Sequence, residues 1–140
     1  MLRTTSQLLS LHQAIEEENA GYYFGLVEKY PEYADLFTRL AKDSLRFTEM
    51  AQRAYREGVT DAFEVGFLAT ILNTDDYKLE KPDGSLSNDI QSMIANEEKI
   101  VQFCLDAASN SSKLLPDVPE TFQRLVKRKN RSIKRLKEIT

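Results

Sequence analysis

Two pairs of adjacent glutamates occupy equivalent places in two similar segments of this 140-residue sequence. The segment EENAGYYFGLV begins at Glu17, and EEKIVQFCLDA begins at Glu97, eighty positions later. Each first glutamate is followed six residues on by an aromatic side chain, Tyr23 or Phe103. Carboxylates buried at matching positions can serve as oxygen ligands for hard metal ions. What such a site can do depends on the other ligand-type side chains that the chain supplies.

The sequence is poor in those other side chains. His12 is the only histidine and Cys104 the only cysteine, so a CxxC redox pair, an intrachain disulfide and a thiolate iron site are excluded. Cys104 lies on an apolar helix face, which predicts a buried thiol with a raised pKa. We interpret His12 as a structural or exposed residue, because no partner is evident for it as a base or ligand.

The composition predicts one globular domain spanning residues 1–140. Hydrophobic residues make up 41% of the chain, enough to bury a core without disulfides or metals. The opening segment MLRTTSQLLSLHQAIEEE turns acidic before it could form a signal peptide, and no run of eighteen apolar residues is present. These features predict a soluble, cytoplasmic protein without a transmembrane segment.

Apolar residues recur at three- and four-residue steps along most of the chain, which predicts an all-α fold. The first helix is expected from Thr5 to Lys29 and the second from Pro31 to about Glu57, with Gly58 as its C-terminal cap. A third helix is expected from a cap at Ser87, and a fourth from Pro119 nearly to the end of the chain.

The four helices predict an antiparallel four-helix bundle made of two hairpins, at about 5–57 and about 87–139. The connection at 58–86 is expected to contain a short helix at 60–72 and then a polar loop that ends in a Pro-Asp-Gly turn. The spacing of the acidic residues in this loop does not fit a calcium-binding loop. No strand is predicted.

A second repeat supports this arrangement. The segment LFTRLAK at 36–42 returns as TFQRLVK at 121–127, on the second and fourth predicted helices. Both helices are preceded by a turn that contains proline. The chain is therefore predicted to be a duplicated helical hairpin, which would place one glutamate from each half near a common axis.

These features resemble the ferritin-like superfamily and, within it, the rubrerythrin-like group. The likeness is carried by ENAGYYF, LFTRLAKDSLRF, NEEKIVQFCLDAA and TFQRLVKRKNRS. It implies that the first helix of each half supplies a glutamate and the second a Glu-x-x-His motif. In that family these residues hold two iron ions that react with dioxygen or peroxide. Glu17 and Glu97 match the first-helix glutamates, and the adjacent Glu18 competes with Glu17 for the position.

The sequence departs from that family at the other four ligand positions. The pattern falls on LAKDSLRF, which has Ser44 and Phe47 where the glutamate and the histidine are expected. In LVKRKNRS the same positions hold Lys129 and Ser132, and no Glu-x-x-His motif occurs anywhere in the chain. The resemblance therefore implies a degenerate di-iron site.

Lys129 lies in the apolar stripe of the fourth helix, so its ammonium is expected to point inward. We predict that it pairs with Glu17 and Glu97 and replaces the metal, with Ser44 and Ser132 as hydrogen-bond partners. No bound metal is expected in such a centre. In the alternative interpretation, Lys129 extends to the surface and the two glutamates are solvated.

The fourth helix is also strongly basic. Residues 121–140 contain eight basic side chains and one acidic side chain, so they carry a charge of +7 while the rest of the chain carries −10. Such a face would suit an anionic surface, although cations late in a helix also oppose its dipole. Nucleic-acid binding is not favoured, because no aromatic residue is interleaved for base stacking.

These predictions lead to two functional hypotheses. The first is a ferritin-like bundle that has lost catalysis and acts as a structural, binding or regulatory module, expected to be a homodimer with an unidentified protein partner. The second is a rubrerythrin-like oxidoreductase or iron-handling protein with a reduced or relocated site. Its substitute ligands would come from Glu18, Glu98, Asp43, Glu49 and His12.

Overall fold

The computed structural model describes residues 1–59, 67–111 and 117–140, and four long helices dominate it. They are α1 (Thr5–Lys29), α2 (Ala34–Val59), α3 (Leu86–Asn110) and α4 (Asp117–Glu138), with a 3₁₀ turn at Pro31–Tyr33 before α2. The predicted all-α bundle of four helices is confirmed at this level, and the predicted limits of α1 agree with the structure.

Side-chain caps set where two helices begin. Thr4 accepts a hydrogen bond from the backbone N–H of Gln7, and the Gln7 side chain accepts from the Thr4 backbone in return, which forms a capping box. Ser85 caps α3, so the predicted cap at Ser87 is wrong by two residues. Helix α4 likewise begins two residues before Pro119, which lies in its first turn.

The prediction of a short helix at 60–72 is wrong over its described part. Phe67–Leu72 forms strand β2, which pairs antiparallel with strand β1 at Leu2–Thr4. Leu2 lies opposite Leu72, and Thr4 lies opposite Phe67, with an irregularity between these two pairs. The partner strand is more than sixty positions away in the sequence, so local periodicity could not indicate it. The other residues of the predicted helix, 60–66, lie outside the described part of the chain.

The helices pack as two hairpins, α1 with α2 and α3 with α4. Helix α2 also packs on α4, and α1 packs more loosely on α3, so α1 and α4 face each other across the bundle. Residues 73–85 then run back along α3. Tyr77 donates to Asp106 at 2.6 Å, and Asn96 exchanges two hydrogen bonds with the backbone of Glu80.

The core has two apolar layers separated by a polar layer. One layer includes Leu9, Phe103 and Phe122, and the other includes Tyr23, Phe37 and Leu136. Between the layers lie buried polar side chains from all four helices, near the middle of the bundle. In the described parts of the chain, none of the helices is both long and apolar enough to cross a membrane.

Candidate functional site

The polar layer is organised around Lys129 of α4. Its side chain is only 1% exposed, and its ammonium lies 2.5 Å from Glu16 Oε1, on the helix α1 that faces α4 across the bundle. The same ammonium lies 3.4 Å from Oε1 and 3.3 Å from Oε2 of Glu97 on α3. Lys129 therefore bridges two buried carboxylates that come from different helices.

Helix α2 completes the surroundings of the ammonium. Lys129 Nζ donates to Ser44 Oγ at 3.3 Å and lies 5.2 Å from the centre of the Phe47 ring. A cation near an aromatic face is attracted by the negative charge of that face. Ser44 and Lys129 each follow two residues after a copy of the repeat, LFTRLAK or TFQRLVK. Equivalent positions of the two halves therefore meet at the centre.

Glu16 has a second basic neighbour on its own helix. The Nε2 atom of His12 lies 3.2 Å from Glu16 Oε2, and both side chains are fully buried. The imidazole stacks on Phe103 with ring centres 5.9 Å apart and meets Phe122 edge to face at 5.2 Å. His12 is therefore locked in the apolar layer next to the charged centre.

Glu97 receives its hydrogen bonds on one oxygen only. Asn19 donates to Glu97 Oε1 at 2.7 Å, and the hydroxyl of Tyr23 donates to the same atom at 2.9 Å. Glu97 Oε2 has no hydrogen-bond partner in the described structure, although it lies within ion-pair distance of Lys129. The two carboxylates are thus unequally satisfied, and Glu16 has the closer contact with the ammonium.

This inequality sets opposite pKa shifts in the two glutamates. Burial alone would raise both values. For Glu16 the attraction of Lys129 and the hydrogen bond with His12 outweigh burial, so its pKa is lowered from the ordinary value. For Glu97 burial prevails over Lys129, and the charge on Glu16 adds to it, so the pKa is raised.

The ammonium remains charged in this setting. Burial by itself would lower the pKa of Lys129, but the charges of Glu16 and Glu97 prevail and raise it. With both carboxylates ionised, the three groups sum to one negative charge, which is consistent with the raised pKa of Glu97. The arrangement is a buried ion-pair cluster, which we call the Lys129 cluster: Glu16, Glu97 and Lys129.

The predicted inward position of Lys129 and its pairing with Glu97 and Ser44 are confirmed. The predicted pairing with Glu17 is wrong, because Glu17 is exposed and accepts a hydrogen bond from Gln13. Its competitor Glu18 is exposed as well and accepts from the hydroxyl of Tyr22.

Ser132 is also misassigned. It is buried, but its hydroxyl donates to the backbone carbonyl of Arg128 at 3.4 Å, within its own helix. This is the usual alternative for a serine in the middle of a helix.

Sequence reasoning missed Glu16 because the alignment of the two glutamate segments, and the resemblance that uses it, assigned the position to Glu17. Glu17 stands eighty residues before Glu97 and six residues before Tyr23, which made it the matching glutamate in the sequence. The true buried face includes Leu9, Glu16 and Tyr23, which are seven residues apart. That spacing was a readable signal, and the adjacent Leu8 and Leu9 made it ambiguous.

The substitute ligands predicted for a relocated metal site are not brought together. Glu49 and Glu98 are exposed on α2 and α3, and Asp43 lies on the outer side of α2. His12 lies in the interior beside Glu16. Within residues 1–59, 67–111 and 117–140, no group of three His, Cys, Asp or Glu side chains is arranged to hold a metal ion.

The donor set at the centre does not fit the di-iron group that the resemblance implies. Two iron ions need several carboxylates and imidazoles around them. Here an ammonium lies between the two carboxylates, and Ser44 and Phe47 occupy the α2 positions where ligands are expected. The ammonium of Lys129 repels a metal ion and already neutralises part of the charge of the two carboxylates.

No family model, curated protein or solved structure matches this chain.

Proposed function

We propose that this chain is a ferritin-like, rubrerythrin-like helical bundle that lacks a di-iron centre and acts as a non-catalytic structural, binding or regulatory module. One observation carries the proposal: the ammonium of Lys129 lies between Glu16 and Glu97, in the middle of the four helices. The cluster supplies the positive charge that metal ions would otherwise supply to these carboxylates. It therefore gives the bundle a charged centre without redox chemistry.

The Lys129 cluster is well suited to fix how the helices are aligned. Its members come from α1, α3 and α4, and Ser44 adds α2, so any slip of one helix would leave a buried charge unpaired. Breaking a buried ion pair costs about 3–5 kcal/mol, whereas forming one adds little net stability. We assign to the cluster a role in the alignment of the four helices, comparable to that of buried polar residues in coiled coils.

Iron loading tests the proposal. Protein is incubated anaerobically with ferrous iron, desalted and submitted to elemental analysis, together with a Glu16→Ala/Glu97→Ala variant. A Glu17→Ala/Glu98→Ala variant is the matched control, because it removes two carboxylates from the exposed faces of the same helices. We expect no retained iron in any of the three proteins.

Stoichiometric iron that is retained by the wild type and lost in Glu16→Ala/Glu97→Ala would overturn the proposal. Iron that is lost only in the Glu17→Ala/Glu98→Ala control would support the alternative, an iron-handling protein with a relocated site. Circular dichroism of each variant establishes that the bundle is folded before its metal content is compared.

The homodimer stays a prediction that rests on the resemblance and on exposed apolar residues. Phe24 of α1 and Leu105 of α3 are 42% and 43% exposed, so an apolar contact is available on each of these helices. Light scattering at micromolar concentration measures the oligomeric state directly. A monomeric mass would remove the dimer from the proposed function.

A further inference from the structure

A second charged region lies on the surface between α2 and α4, on the outer side of Phe47 and Ser132. It is a groove of about 270 Å³. Guanidinium groups line both of its walls, and we call this feature the arginine groove: Arg39 and Arg46 on α2, and Arg128, Arg131 and Arg135 on α4. Among the described residues, Asp43 is the one acidic side chain in its lining.

The sequence spacing explains why these side chains meet. Arg39 and Arg46 are seven residues apart and therefore lie on one face of α2, two helical turns apart. Arg128, Arg131 and Arg135 follow one another at three and four residues, which places them along one face of α4. Because α2 packs on α4, the two rows lie on opposite sides of one groove.

In the described part of the chain, these arginines have no carboxylate partner. Within the described residues, none of the five guanidiniums makes an ion pair, and none donates a side-chain hydrogen bond to Asp43. Farther along the same helices, Arg53 pairs with Glu57 at 3.9 Å and Arg124 pairs with Glu120 at 2.8 Å. Elsewhere in the described structure, Arg56 of α2 and Lys127 of α4 also make no ion pair, so the groove is distinguished by five guanidiniums that converge on one surface and not by the lack of pairing alone.

Keeping five like charges together is unfavourable without a counter-charge. Arginines three or four residues apart on one helix repel one another, and a cleft lined by one sign of charge concentrates ions of the other sign. A guanidinium presents two parallel N–H donors that match the oxygens of a phosphate group. The groove therefore has the chemistry of a phosphate-binding surface.

The residues that line the groove and its volume argue against single-stranded nucleic acid and against a membrane surface as the ligand. Single-stranded nucleic acid is held by stacking bases on exposed aromatic rings, but Phe47, the aromatic residue of this lining, is only 3% exposed. A membrane surface is bound through apolar side chains beside the basic ones, and of the residues that the structure describes, Phe47 is the one apolar residue in the lining. The groove volume of about 270 Å³ lies just below the range typical of sites for drug-sized molecules, which favours a small ligand.

We propose that the arginine groove binds a small anion that carries two or more phosphate groups. The guanidiniums of α2 and α4 would contact the phosphate oxygens from both sides, and the ligand would supply the missing counter-charge. The arginine groove and the Lys129 cluster are made of different side chains. Anion binding by the groove therefore does not depend on the role proposed for the cluster.

Titration calorimetry with inorganic tripolyphosphate, at physiological salt and without divalent cations, tests the proposal. We expect saturable binding of one equivalent per chain by the wild type. The Arg128→Gln/Arg135→Gln variant should lose at least about tenfold in affinity, because each removes a charge-assisted hydrogen bond.

The matched control is Lys127→Gln/Lys134→Gln. It removes the same charge at the same seven-residue spacing from the same helix, but from side chains that do not line the groove. Its affinity should change less than about threefold, which is the share expected from net charge alone.

Three results would overturn the proposal. The first is no saturable binding of tripolyphosphate by the wild type at millimolar concentration. The second is an equal loss of affinity in the two double variants, which would mean that net charge and not the groove attracts the anion. The third is binding of single-stranded RNA or of anionic vesicles that millimolar tripolyphosphate does not displace, which would assign the groove to a macromolecular surface.

Discussion

Lys129 and Arg128 are neighbours in the sequence and occupy opposite electrostatic surroundings. Lys129 points into the bundle, where two carboxylates and a serine hydroxyl contact its ammonium. Arg128 lines the arginine groove beside four further guanidiniums, and within the described residues it makes no ion pair. The difference shows how burial decides whether a cation must have partners: an unpaired charge costs several kcal/mol in the interior and little in water.

The largest expected effect comes from removing the cation of the Lys129 cluster. Lys129→Met should destabilise the fold by about 3–5 kcal/mol, because two buried carboxylates lose their counter-charge. Urea unfolding followed by circular dichroism measures the change. Lys127→Met, at an exposed position of the same helix, should change stability by less than about 0.5 kcal/mol.

A further variant separates lost pairing from lost packing. In Glu16→Gln/Glu97→Gln/Lys129→Met no charge remains in the cluster, so most of the loss in Lys129→Met should be recovered. If the triple variant is as unstable as Lys129→Met, packing around the lysine stem is responsible and the electrostatic account of the centre is wrong.

The two carboxylates should differ from each other at neutral pH. Glu16→Gln removes the closest partner of the ammonium and should cost about 2–3 kcal/mol. Glu97→Gln keeps an oxygen that can accept from Asn19 and Tyr23, and it removes a charge whose second oxygen accepts no hydrogen bond and lies farther from the ammonium than Glu16 does, so its cost should stay below about 1 kcal/mol. Equal costs in the two variants would contradict the unequal satisfaction seen in the structure.

The pH dependence of stability should distinguish the same two residues. The pKa of Glu16 is lowered in the fold, so its contribution is present above about 4.5 and is lost as the pH falls through the lowered value. The pKa of Glu97 is raised, so the wild type loses stability as the pH rises from about 4.5 through the raised value.

Unfolding curves at acidic and neutral pH check both signs. From acid to neutral pH, Glu16→Gln should become less stable relative to the wild type, and Glu97→Gln should become more stable relative to it. A parallel course of the two variants would show that the glutamates titrate alike and would remove the distinction between them.

The smallest effect on stability is expected in the arginine groove. Arg128→Gln/Arg135→Gln should leave the free energy of unfolding within about 0.5 kcal/mol of the wild type or raise it slightly, because like charges are removed from one face. The difference should shrink as salt screens the repulsion. A loss of more than 2 kcal/mol, from denaturation curves at low and high salt, would mean that these guanidiniums have stabilising contacts within the fold.

The sequence predicted the bundle well because each long helix carries its own periodic signal. Helix α1 agrees at both ends, since an amphipathic pattern, a cap and a following proline all act locally. Strand β2 was missed because its partner, β1, precedes the whole first hairpin in the sequence. A local pattern cannot indicate a pairing over that separation. Tertiary pairing decided the conformation of Phe67–Leu72.

The centre was predicted in part: Lys129, Glu97 and Ser44 do meet there, whereas the contacts predicted for Glu17 and Ser132 are absent from the described structure. The apolar residues around Lys129 correctly indicated that it is buried, and the family pattern applied to both halves indicated Ser44 and Glu97 near it, where they lie. A shift of one residue on a helix rotates a side chain by about 100°, so a small error of phase exchanged Glu16 for Glu17. The unequal hydrogen bonding of the two carboxylates depends on exact distances and could not be read from the sequence.

The small sheet has a consequence for the order in which the protein folds. Pairing β1 with β2 closes a loop that contains the whole first hairpin, whereas α1 and α2 meet across a connection of only a few residues. Long loops close late, since the entropy of closure must be overcome before their contacts form. We expect the backbone amides of β2 to gain protection from hydrogen exchange after those of the hairpin, which pulse labelling during refolding measures. The strand pair would then form last and would join Leu2–Thr4 to the central connection after the helices have packed.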